Sequence, residues 1–144
     1  MTRAQVPPQS LGSLNPDVFT EPFWRSVADH RLTCAQCASC GAFRMPPSAF
    51  CPRCHAQEVT WAELSGRGTV FSFTIARHAL TPELAGCLPY VVAAIDLEGA
   101  PGARLISNVI DTEVEDVHIG MPVEIVWEDV DGSPVTLYRF RPVA

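Results

Sequence analysis

The residues of this chain best suited to chemistry are four cysteines in two close pairs, Cys37-Ala38-Ser39-Cys40 and Cys51-Pro52-Arg53-Cys54, separated by ten residues. Each C-x-x-C bends the backbone into a knuckle that turns two thiolates toward one centre, and four thiolates meet the tetrahedral preference of zinc. Cys37, Cys40, Cys51 and Cys54 are therefore expected to ligate one metal ion, with Gly41 placed to close the first turn at positive φ. Rubredoxin-like iron and iron–sulfur clusters use the same donors, so the spacing fixes the geometry more firmly than the metal. A four-ligand zinc has no open position for water or substrate and acts as a structural ion. In isolated zinc peptides such binding supplies on the order of 10 kcal/mol of folding free energy.

The other reactive side chains form no recognisable constellation. Cys34 and Cys87 lie outside the two pairs and are expected as small buried hydrophobes, while His55, next to Cys54, is the one histidine placed to replace a ligand. His30, His55, His78 and His118 have no carboxylate or nucleophile at motif spacing, and the run Asp111-Thr112-Glu113-Val114-Glu115-Asp116 reads as a solvated acidic loop. Nucleophile-elbow, zinc-protease, phosphate-loop and dinucleotide motifs are all missing. No catalytic residue can be named from the sequence.

The elements that must carry the metal site follow from local pattern. Residues 1–14, which include Pro7, Pro8, Gln9 and Ser10, have no apolar periodicity and are expected as a flexible leader. Residues 15–32 form a helical segment, with Asn15 and Thr20 as possible N-caps, Pro22 early in the helix, and a body from about Glu21 to His30. Phe23, Trp24 and Val27 recur on one face with Ala28 and Leu32. That stripe either packs on its own domain or, as two large aromatics on a short helix, anchors a partner.

Residues 33–60 are expected to be a zinc ribbon whose two short strands are joined at Pro46-Pro47. Residues 61–144 switch to an alternation of period two. Ser65-Gly66-Arg67-Gly68 marks a bend or bulge, after which Thr69, Phe71, Phe73 and Ile75 alternate with Val70, Ser72, Thr74 and Ala76. Further strands are expected at 90–97, 104–110, 123–128 and 135–141. Five short strands with glycine turns fit a partly open Greek-key OB barrel better than a sandwich, which usually needs about seven. The fold class is mainly β: an N-terminal helix, a four-cysteine ribbon, then a five-stranded barrel.

The chain has 144 residues, is 47% hydrophobic and 18% charged, and carries a net charge of −6 with ten arginines and no lysine. This composition folds. Scattered arginines among sixteen acids disfavour nucleic acid and anionic membrane surfaces as partners, since both rely on clustered cations. With no bilayer-length apolar run, no signal-peptide pattern at Met1–Gly12 and clustered cysteines that suit a metal in a reducing compartment, a cytoplasmic location is expected.

The motifs together are more specific than any one of them. Thr20-Glu21-Pro22-Phe23-Trp24, the two knuckles around Pro46-Pro47, Ser65-Gly66-Arg67-Gly68-Thr69, Leu88-Pro89-Tyr90, Ser107-Asn108-Val109 and Ile119-Gly120-Met121-Pro122-Val123 span roughly Phe19 to Pro142. They resemble the acyl-CoA-associated OB-fold family long called domain of unknown function thirty-five. The resemblance implies a helix, a rubredoxin-like ribbon with structural Zn2+ and an OB barrel.

It also implies a hetero-oligomer with a thiolase-fold enzyme (a thiolase, a lipid-transfer-protein-like aldolase or an acyltransferase) acting on acyl-CoA thioesters, for example in steroid side-chain or aromatic degradation. The accessory chain itself typically supplies no catalytic residue. On that reading Phe23, Trp24 and Val27 contact the partner, and Arg44, Arg53 and Arg67 are the arginines placed to meet CoA phosphates. A stand-alone acyl-CoA-binding protein and a single-stranded nucleic-acid module are the alternatives.

Overall fold

The strand Tyr90–Leu97 shows how the alternation is used: Val91, Ala93, Ile95 and Leu97 are buried, while Tyr90, Val92, Ala94 and Asp96 are only partly covered. It is β5 in a computed structural model that describes residues 1–9 and 14–144. The chain runs α1 (Glu21–Ala28), β1 (Thr33–Cys37), β2 (Phe43–Arg44), β3 (Val59–Glu63), β4 (Arg67–Ala76), β5, β6 (Arg104–Val109), β7 (Pro122–Asp129) and β8 (Thr136–Pro142). β1, β2 and β3 form an antiparallel sheet with β1 in the middle. The remaining five strands close a barrel in the order β4-β5-β6-β8-β7, with β6 and β8 meeting in parallel at Val109 and Phe140. This is the expected mainly β architecture.

The ribbon strands differ from expectation. Pro46-Pro47 follows β2 instead of joining two strands, and the sheet is completed by β3, which lies beyond the second knuckle and straddles the expected boundary at residue 60. Two prolines without N–H donors cannot continue a ladder, so β1 finds its long partner later in the chain.

Barrel closure depends on glycine at β4. A Cβ on Gly68 would lie 2.3 Å from the carbonyl oxygen of Asp96, so β4 and β5 approach only because no side chain intervenes. The bend expected at Ser65–Gly68 is made at Gly66, with φ 86°, and a second irregularity follows as a register shift between Val70 and Ser72. It changes which residues face inward: Val70 is buried before the bulge, Phe73 and Ile75 turn toward the core after it, and Phe71 is left exposed. The single alternating face expected for Thr69, Phe71, Phe73 and Ile75 is therefore divided.

Val91, Ile95, Val109, Val123 and Phe140 have no solvent exposure, and α1 closes one side of this core with Phe23 and Val27. The residues expected as a flexible leader cross the barrel. Ala4 N–H donates to Thr112 O at 2.9 Å, Gln5 N–H to Pro89 O at 2.8 Å, and Pro7 O accepts from Arg139 Nη2 at 3.0 Å. The part of the expected leader at residues 10–13 lies outside the described residues. No helix among the described residues is long and apolar enough to cross a membrane.

Candidate metal centre

Two knuckles of the same design build the centre. In the first, Cys37 N–H donates to Ala42 O at 2.8 Å and Gly41 N–H to Cys37 O at 3.0 Å; in the second, Cys51 N–H donates to Ala56 O at 2.8 Å and His55 N–H to Cys51 O at 3.0 Å. Gly41 and His55 take equivalent positive-φ positions, at 79° and 64°. Each knuckle thus offers one buried thiol, Cys37 or Cys51, and one exposed thiol, Cys40 or Cys54.

The four Sγ atoms lie within 4.8 Å of one another, with Cys37 to Cys54 at 3.5 Å and Cys40 to Cys51 at 3.6 Å. Four sulfurs about 2.3 Å from a tetrahedral zinc stand about 3.8 Å apart, so the donors fit the ion. Backbone N–H groups favour the thiolate form of the two buried cysteines. The N–H of Cys40, 3.5 Å from Cys37 Sγ, draws that thiol down to about 6, and the N–H groups of Cys54 and Arg53 lower Cys51 in the same way. Bound here, zinc would have four protein ligands and no open position, and would brace the ribbon.

Cys34 stands apart from the four. It is fully buried on β1, where desolvation pushes its thiol up to about 11, the environment of a structural thiol and not of a ligand. Cys87 is half-buried, more open than expected. His55 is exposed and outside the sulfur cluster; its role is to turn the backbone.

The remaining candidate residues scatter. Arg44, expected to be available to CoA phosphates, is only 3% exposed inside the ribbon, where its guanidinium donates to the carbonyls of Ser48, Ala56 and Gln57. It cannot reach a phosphate in solution, because β2 places it beneath the second knuckle. Arg53 and Arg67 are exposed and lie on different units, the knuckle and the start of β4. Phe23 and Val27, expected at a partner surface, are buried on the chain's own core. Phe23 meets Tyr138 edge-on at 5.9 Å, and half-buried Trp24 stacks on the same ring at 5.8 Å. Tyr138, enclosed by them, has its hydroxyl pushed up to about 12 by burial.

Two clusters escape sequence reasoning because tertiary pairing makes them. His30, at positive φ just beyond α1, places Nε2 2.8 Å from Asp129 Oδ1 and stacks on Trp127. Arg139, buried on β8, joins Glu128, Asn108 and Pro7. Trp127 is stacked under His30, so one aromatic that a strand-stacking barrel would present is taken, while Phe71 carries the guanidinium of Arg104 on its ring at 3.7 Å and stays exposed.

Comparison with known proteins agrees with this geometry. Residues 24–60 match the ChsH2 rubredoxin-like zinc ribbon domain and residues 61–128 the ChsH2 C-terminal OB-fold domain. The chain is 37% identical over 121 residues to a probable enoyl-CoA hydratase alpha subunit of Thermomonospora curvata, covering 83% of this chain but only 36% of that protein. It is 35% identical to a DUF35 domain-containing scaffold protein of Methanocaldococcus jannaschii, covering 83% of this chain and 88% of that protein. It is also 31% identical to the benzoylsuccinyl-CoA thiolase subunit BbsA of Thauera aromatica, covering 90% and 87%. Among solved structures, a chain of the Ltp2-ChsH2(DUF35) aldolase superposes with a TM-score of 0.78 at 32% identity, over 90% of this chain and 98% of that one. Helix, four-sulfur ribbon and OB barrel, in this order and with these relatives, place the chain in the DUF35 family.

Proposed function

We propose that this chain is a non-catalytic accessory subunit that binds a thiolase-fold enzyme acting on acyl-CoA thioesters. The observation that carries the reading is the likeness, over nearly the whole of both chains, to the DUF35 component of a two-component aldolase. The thiolase subunit BbsA, similar over most of its length, supports the same class of partner. The hydratase alpha subunit is almost three times longer than the matched segment, so its activity is no guide to this chain.

The apolar surface left for a partner is smaller than the helix stripe suggests. With Phe23 and Val27 committed to the core, Trp24 is joined by Val18 and Phe19, exposed immediately before α1. Aromatic anchors of this kind dominate interface energetics. Exposed Arg53 and Arg67 are the arginines still able to meet a CoA phosphate near such an interface.

Co-expression with a thiolase-like protein of the same organism, followed by size-exclusion chromatography, tests the reading. A stable complex is expected, together with a change in the enzyme's activity on acyl-CoA. Two proteins that elute separately, with enzyme activity unaltered by this chain, would overturn it.

A further inference from the structure

Arg44 poses a charge problem. It is 3% exposed, and among the described residues no carboxylate pairs with it. The other deeply buried arginine, Arg139, has Glu128 at 3.0 Å. A buried guanidinium is costly unless an opposite charge offsets it, and neutral carbonyls solvate the cation without neutralising it.

Its contacts point to the missing anion. Nη1 donates to Ser48 O at 2.8 Å and Gln57 O at 3.4 Å, and Nη2 to Ala56 O at 3.2 Å, whereas Nε has no partner. These carbonyls stand on either side of Cys51 and Cys54, and Ala56 O also accepts the Cys51 N–H that closes the second knuckle. One zinc ion on four thiolates carries a net charge of −2. Arg53, the other arginine of the ribbon, is exposed and solvated by water. We propose that Arg44 is the counter-charge and positioning residue of the metal centre. Its cation offsets the negative zinc–thiolate group, and its fork fixes both ends of the second knuckle so that Cys51 and Cys54 meet the first pair.

The test compares Arg44→Gln, which removes the charge, with Arg44→Lys, which keeps it without the fork. Zinc affinity of the full chain is measured by competition with a chromophoric chelator, and absorption spectra are recorded after cobalt(II) replaces zinc. Arg44→Gln should weaken zinc binding roughly 10- to 100-fold and move the thiolate-to-cobalt charge-transfer band to lower energy, because thiolates without a nearby cation donate more readily. Arg44→Lys should weaken zinc only a few-fold and leave the band in place. A Gln variant with parental affinity and an unshifted band would overturn the proposal. So would Gln and Lys variants weakened equally, which would assign Arg44 to packing alone. Should the Gln variant fail to fold, Arg44→Lys decides: retention of zinc supports the counter-charge, and a loss of tenfold or more refutes it.

Discussion

Gly41 and His55 do the same work with different chemistry. Both sit at positive φ as the fifth residue of a knuckle, where an L side chain is strained, yet only the first is glycine. A Cβ on Gly41 would meet nothing nearer than Gln36 Nε2 at 3.9 Å, so any cost of adding it is conformational. Gly41→Ala should destabilise the zinc-loaded chain by about 1 kcal/mol in a denaturant titration. His55→Gly should shift the midpoint the other way by less, since glycine also frees the unfolded chain. Equal shifts in one direction would show that the two knuckles are not equivalent. Cys51→Ser strikes the same turn through its sulfur. It removes a buried ligand, and metal analysis after dialysis should find the zinc of the parent chain missing.

At the scale of elements, α1 is fastened to the barrel at its C-terminal end. Arg31 N–H returns to Ser26 O and His30 N–H to Val27 O, a Schellman motif with histidine in the left-handed position where glycine is usual. The histidine ring then reaches across to β7. His30 and the Thr136 hydroxyl both hold the Asp129 carboxyl below its ordinary value of 3.8, in that order of influence. A depressed carboxyl contributes stability that is fully present above its unfolded pKa and is lost as pH falls through the lower, folded value. Asp129→Asn should therefore lower the melting temperature above about pH 4 and converge on the parent in stronger acid. A gap between the two that stayed constant down to pH 2 would show that the carboxylate charge is not what fastens the helix.

This latch also shows where reading the sequence stops. The helix body, the barrel strands and the four ligands are legible because each rests on neighbours a few positions away: apolar spacing, alternation, C-x-x-C. The start of α1 is subtler. Thr20 stands at the N-cap position, as expected, but its side chain caps no helix N–H; Asp17 accepts the N–H groups of Phe19 and Thr20, and the Thr20 hydroxyl oxygen accepts the Asp17 N–H. The bulge after Val70, the burial of Arg44 and the path of residues 1–7 are decided by strands far along the chain, and local pattern carries no trace of them.

For the whole molecule, the question is how far the metal's influence extends. The centre of the barrel core, Val91, Ile95, Val109, Val123 and Phe140, is supplied by barrel strands that close on themselves, and the ribbon joins its edge through Cys34, with Phe43 and Trp61 packed against it. The ribbon has only three short strands, of which β2 contains two residues, and it depends on zinc to hold its knuckles together. Between them lies α1, which touches β1 of the ribbon and, through Phe23 and Trp24, Tyr138 of the barrel. Chelation should therefore loosen the molecule in order. In hydrogen exchange with excess chelator, amides of 33–63 should lose protection first, those of α1 should lose part of theirs, and those of β5 should stay near their zinc-loaded values. Uniform loss would mean that the barrel borrows stability from the metal. Protection lost from the ribbon alone, with α1 unchanged, would mean that the aromatic contacts on Tyr138 suffice to hold the helix and that zinc has no hold on the surface around Trp24.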